Sequence, residues 1–183
     1  MKDLEEKTIV KKDIYKGKII DLELHDVSLP NGNTSKREII QHPGAVAVIA
    51  LTNENKLVMV KQYRKALEKS LVEIPAGKME KGEAPEITAM RELEEETGYS
   101  CESMEPITSF YTSPGFANEI VYLYFANRLT RIHENQALDE DEFVELLEVT
   151  IEEAEEMMKN KQIHDAKTAY ALQYIKLQRL NQK

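Results

Sequence analysis

A chain of 183 residues, 42% hydrophobic and 31% charged, is long enough for one sizeable packed domain with an appendage and too apolar to remain unfolded. Its formal net charge of −9 excludes a general binder of nucleic acid or anionic membrane, because those partners demand a basic face. Cys101 is a single cysteine and cannot form an intrachain disulfide, the opening MKDLEEKTIVKKD lacks the apolar core of a signal peptide, and no run approaches the roughly 20 apolar residues of a membrane helix; a cytoplasmic protein is expected.

The N-terminal part divides into the extended pieces TIVKKDIY, GKIIDLELHDVSL and SKREIIQH. The last two are separated by Leu29-Pro30-Asn31-Gly32-Asn33, in which Asn-Gly is a strong hairpin signal. Residues 1–42 are therefore expected to form a β-rich region, too small to be stable alone, that leans on the main domain or on a second copy of the chain. From Gly44 the run AVAVIAL predicts a strand buried on both faces, followed by a turn at 53–56 and a returning strand, LVMVKQYR. The short apolar segment LVEIPAG precedes a helix, and strands are predicted around PITSFYTS, in EIVYLYFANRL and in FVELLEV, 143–149. Thr150 and Glu153 have capping-box spacing at the start of IEEAEEMMKN. Asp165 is placed to cap AKTAYALQYIKLQRL, whose apolar stripe would comprise Ala169, Leu172, Tyr174 and Ile175. This order of elements predicts an α+β fold, with a main domain over 43–183.

The central helix is expected over roughly 84–97, with Pro85 in the first turn and Gly98 as the C-terminal cap. It contains RELEEETG, four glutamates in five positions. At about 100° per residue, Ile87, Ala89, Met90 and Leu93 fall on one side, while Glu92, Glu95 and Glu96 share another arc and Glu94 points elsewhere. Like charges three and four apart cost a helix about 0.2–0.5 kcal/mol per pair, and acids near its C-terminal end also oppose the dipole. Arg91 reaches Glu95 four residues on but cannot neutralise three acids. Carboxylates arranged against helix stability suit a hard divalent cation such as Mg²⁺, which takes a few carboxylate oxygens and completes its octahedron with water and substrate phosphates.

The frame around this helix is Gly77, five residues, Glu83, seven residues, then Arg91-Glu92-Leu93-Glu94-Glu95-Glu96-Thr97-Gly98-Tyr99. It resembles the Nudix box, G-x5-E-x7-R-E-U-x-E-E-x-G-U with U a bulky apolar residue, at every fixed position, with Tyr99 an aromatic variant of the last. The resemblance implies a Nudix-type α/β/α sandwich and hydrolysis of a nucleoside diphosphate linked to another group. It implies that Glu92 and Glu96 bind metal with Glu95 close by, that the backbone carbonyl of Ala76 completes a metal site, that Arg91 orients the carboxylates, and that Glu83 supports the loop or a second metal. Two or three Mg²⁺ ions, or Mn²⁺, would serve as cofactor.

Further segments resemble the ADP-ribose pyrophosphatase subgroup: Pro114 in YTSPGFANE, sixteen residues after Gly98, the Gln62-Tyr63-Arg64 stretch, VEIPAGK, and LDEDEFVEL over 138–146. They imply ADP-ribose as substrate, cut to AMP and ribose 5-phosphate, and a homodimer built through the N-terminal strands. Another nucleotide sugar such as GDP-mannose, or a sensor that binds ADP-ribose without cutting it, are the alternatives; the intact box argues against the sensor. A water attacking phosphorus needs a base, and the box carboxylates are committed to metal. Glu142 is the favoured candidate, because it abuts the strand FVELLEV, with Glu140 the other. Arg64 and Arg37 are candidates for phosphate or ribose contacts, since arginine offers forked hydrogen bonds, and Tyr15 is a candidate for adenine stacking.

Overall fold

The computed structural model of the chain describes residues 4–132 and 143–181. Two units make up the fold, one comprising Met1–Gly44 with Phe110–Ile120, the other Ala45–Ser109 with Val121–Lys183.

In the first unit, β1 (Lys7–Lys16), β2 (Asp21–Ser28) and β3 (Thr34–Gln41) form an antiparallel sheet in that order. The expected hairpin turn joins β2 to β3. Gly32 takes φ +85°, a conformation that suits an unsubstituted Cα, and its N–H closes the turn on the Leu29 carbonyl at 2.9 Å. The segment after Phe110 is fastened to β3 by backbone bonds from Ile40 N to Phe116 O and from Asn118 N to Ile40 O. β1 is exposed along its whole length.

The second unit holds the central run AVAVIA as β4 (Ala45–Ala50), buried from Val46 onward as its unbroken apolar pattern predicts. After it come β5 (Leu57–Arg64), a 3-10 turn over Lys65–Leu67, β6 (Lys69–Glu73) and β7 (Ala76–Lys78). The helix α1 (Pro85–Thr97) leads into β8 (Tyr99–Ser100), β9 (Ser103–Tyr111), β10 (Ile120–Asn127) and β11 (Thr130–Arg131). β12 (Val144–Val149), α2 (Ile151–Lys159) and α3 (Ala166–Asn181) close the chain. One sheet runs β7-β4-β10-β9, with β4 parallel to β10 and antiparallel to β7; a second runs β12-β5-β6, and β8 pairs with β11. This is the α+β class expected. The two-residue strands β8 and β11 and the 3-10 turn are too short to leave a periodic signal in the sequence.

Helix ends follow their predicted chemistry. Gly98 adopts φ +70° and its N–H bonds to Glu94 O at 2.8 Å. The Thr150–Glu153 capping box forms in both directions, and Asp165 Oδ1 accepts the Thr168 N–H at 3.1 Å at the start of α3. No described helix is long and apolar enough to cross a membrane.

Two helix faces differ from the sequence reading. On α3 the buried positions are Thr168, Ala171, Leu172 and Ile175, leaving Ala169 and Tyr174 at the margins. On α1 Ile87 is 54% exposed, whereas Thr88, Ala89, Leu93, Glu96 and Thr97 are buried. Seven residues bring the helix back to within about 20° of its starting azimuth, so Glu96 lies nearly under Ala89. Ala89 and Leu93 pack with Val46, Val48 and Val58, and Glu96 is carried inward with them. With Ala89 and Leu93 packed inward and Glu96 on the same side, Ile87 lies on the opposite face toward water.

Candidate active site

Register places the strand before the helix. Ala76 and Gly77 of β7 pair with Ala47 and Val46 of the buried β4, and α1 packs on β4 and β7, so the box loop begins on a rigid strand and ends on a rigid helix. The carboxylates are graded by depth along one arc. Glu96 is only 4% exposed as a residue, and the side chains of Glu92 and Glu95 are 12% and 38% exposed. Glu96 Oε2 accepts the Ala76 N–H at 2.9 Å, tying the predicted metal-binding helix residue to the predicted backbone ligand.

Glu92 explains Gly77. The Glu92 carboxylate lies against the Gly77 Cα so closely that a Cβ on residue 77 would overlap its Cδ and both oxygens. Gly77 is required here for space rather than for backbone conformation.

Arg91 gathers the remaining acids. Its Nη1 donates to Glu92 Oε1 at 2.9 Å and to Glu95 Oε2 at 2.8 Å, its Nη2 to Glu83 Oε2 at 3.1 Å and its Nε to Glu83 Oε1 at 3.3 Å. Glu83 raises the Arg91 pKa above its ordinary value; burial opposes this, and Glu92 and Glu95 add to it. Glu83 is correspondingly lowered by Arg91 and by Thr88, whose buried hydroxyl donates to Oε2 at 2.8 Å. Three carboxylates, Glu83, Glu92 and Glu95, thus surround one guanidinium at the strand–helix junction. Among the described residues no three His, Cys, Asp or Glu side chains converge as a ready cation cage. The donor set nevertheless fits a hard divalent ion: carboxylate oxygens in excess of cationic charge, with Glu92 seated in a cradle that a Cβ would fill.

A second constellation escaped the sequence reading. Glu73, 2% exposed at the end of β6, accepts Arg64 Nε at 2.7 Å and Nη2 at 2.8 Å, and also the Lys167 ammonium from α3. Burial alone would push the Glu73 carboxyl up, but Arg64 and Lys167 outweigh it and hold it at about 2. Arg64 is raised, first by its bonds to Glu73, against the opposing effect of burial, and also by the charges of Glu96 and Asp165. Lys167 donates further to Asp165 Oδ1 at 3.0 Å. The available signal was a lone acid inside the otherwise apolar LVEIPAG, since a charge in a buried strand needs a partner.

Ala76, Arg91, Glu92, Glu95, Glu96 and Arg64 all lie in the second unit. Arg37 and Pro114 lie in the first. Arg37 on β3 donates Nε and Nη2 to Glu6 at 2.8 and 2.6 Å, and Pro114 stands in an exposed turn. Tyr15 is 58% exposed on β1. Glu140 and Glu142 lie outside the described residues.

Residues 41–172 match the family model described as NUDIX domain. The chain is 61% identical over 177 residues to an ADP-ribose pyrophosphatase of Bacillus subtilis (strain 168), covering 97% of this chain and 96% of that protein. It is 63% identical over 174 residues to a methanol dehydrogenase activator of Bacillus methanolicus, covering 95% and 94%. A solved structure described as an ADP compounds hydrolase shares the fold, with a TM-score of 0.84 at 17% identity over 100% of this chain and 98% of the other. The box geometry at the β7–α1 junction and these likenesses agree: the chain belongs to the Nudix family.

Proposed function

We propose that the chain is a cytoplasmic, Mg²⁺-dependent pyrophosphatase that cleaves ADP-ribose to AMP and ribose 5-phosphate. The observation that carries this reading is the near full-length likeness to a protein named ADP-ribose pyrophosphatase. The carboxylates around Arg91 are equipped for that reaction.

Glu92, Glu95 and Glu96, with the Ala76 carbonyl, would hold two or three Mg²⁺ ions. Bound Mg²⁺ neutralises diphosphate charge and lowers the pKa of the attacking water. Arg91 fixes the carboxylate rotamers through its bonds to Glu92 and Glu95, and Glu83 anchors Arg91 from the loop. Glu142 takes the proton of the attacking water, with Glu140 as the alternative base. Arg64 is the candidate in this unit for contact with the phosphates or ribose, and Arg37 and Pro114 are the further substrate-binding candidates.

Hydrolysis of ADP-ribose, GDP-mannose and other nucleoside diphosphate sugars is measured as kcat/KM, with products identified by mass spectrometry in ¹⁸O-water. ADP-ribose is expected to lead the panel, and a preference for a non-adenine base rejects it as substrate. In the same assay Glu142→Gln should lower kcat by roughly 10²-fold or more, the scale of a lost general base. An unchanged kcat removes Glu142 from this role.

The reading includes a homodimer. β1 is an edge strand that exposes Ile9, Val10, Ile14 and Tyr15 at 48–58% each, an apolar row that an isolated edge would leave open to association. Light scattering should give twice the 21.0 kDa of one chain; the mass of a single chain rejects the dimer.

A further inference from the structure

The chemistry assigned to the α1 carboxylates makes no use of Glu73, although it is among the most deeply buried acids described. A buried carboxylate is tolerated only with close, well-directed partners. Arg64 and Lys167 supply them, and Asp165 shares Lys167, so two acids face two cations.

The geometry of the Arg64–Glu73 pair limits what Arg64 can do. Residues of β5 alternate faces, and Arg64 shares its side with Val60, which stands opposite Glu73 in the β5–β6 register. Glu73 accepts from Nε and Nη2, which fixes the guanidinium plane and leaves Nη1 outside the fork. The Arg64 side chain is 38% exposed while that of Glu73 is 2% exposed, so a buried acid anchors a partly exposed arginine. A guanidinium held in this way has lost its rotamer freedom on folding, before any anion arrives.

We propose that Glu73 is a positioning residue that presents Arg64 Nη1 to the diphosphate of the substrate, with Lys167 and Asp165 balancing the buried charge. The proposal rests on the reading of the chain as a nucleoside diphosphate sugar pyrophosphatase. A purely structural role is the competing account, because the same segment is tied to the region of α3 by Ile74 N to Thr168 Oγ1 at 3.1 Å and by Val72 N to Gln162 O at 2.9 Å.

A double-mutant cycle in kcat and KM for ADP-ribose separates them, using Arg64→Ala, Glu73→Gln and the double variant, with melting temperature recorded for each. Arg64→Ala is expected to raise KM about tenfold, the scale of one hydrogen bond to a charged group. Glu73→Gln, which keeps the volume but puts an amide N–H₂ where one arginine N–H was accepted, should raise KM severalfold with a smaller change in kcat. In the Arg64→Ala background Glu73→Gln should add no more than about a twofold further change, because its effect passes through the missing arginine. Should the Gln variant not fold, Glu73→Asp keeps the charge, withdraws the carboxylate by one methylene and completes the same cycle. Additive effects on KM overturn the positioning role, as does an unchanged KM in Arg64→Ala. A wild-type chain that cleaves no nucleoside diphosphate sugar overturns the functional reading itself, and the proposal with it.

Discussion

Glu96→Gln is expected to lower kcat for ADP-ribose by at least about a hundredfold while the protein stays folded. The amide keeps the volume of the buried side chain and retains an oxygen to accept the Ala76 N–H, so the strand–helix tie survives. It removes the negative charge where a divalent ion would be held, and Lewis-acid stabilisation by such an ion is worth several kcal/mol. Melting curves provide a readout independent of turnover. An ion that binds only the folded chain stabilises it by about 2.7 kcal/mol at 100 times its Kd, or roughly 5–10 °C for a domain of this size. Mg²⁺ should raise the wild-type melting temperature on this scale, Glu96→Gln should shrink the rise, and Glu94→Gln should preserve it. Full turnover in Glu96→Gln, or an equal Mg²⁺ response in both variants, would remove Glu96 from the metal site.

Gly77→Ala should be nearly as damaging, for a steric reason. The new methyl would occupy the position of the Glu92 carboxylate, and because β7 is paired to the buried β4 the Glu92 side chain is the part that gives way, leaving its seat beside Arg91. Displacing Glu92 also removes a carboxylate from the cation site. We expect a loss of kcat comparable with that of Glu92→Gln and a weakened Mg²⁺-dependent rise in melting temperature, both checked on the same preparation. Wild-type kinetics in Gly77→Ala would show that Glu92 can leave its seat without consequence.

The box alone disclosed most of the acid set, because its residue types occur at fixed spacings within one loop and one helix. It misjudged the depth of those acids. The helical wheel separated Glu96 from Ala89, although seven residues return almost to the same azimuth, and with Ala89 and Leu93 facing the core Ile87 is left toward water. It also counted Arg91 against the helix acids alone, whereas Glu83, arriving from the loop, provides the other anchor. Arg64 was legible as a phosphate-binding type, but its prior engagement by Glu73 was not, since the two meet across β5 and β6 and their shared partner Lys167 lies 94 positions beyond Glu73.

By itself the sequence determined the α+β class, the capped helices, the hairpin turn and the identity of the box carboxylates, because each depends on neighbours a few positions apart and on local backbone preferences. Tertiary structure decided which face of α1 turned inward, why Gly77 must lack a side chain, and which acid fixes Arg64. Those features depend on distances between segments remote in the chain, where packing and the pairing of buried charge outweigh local propensity.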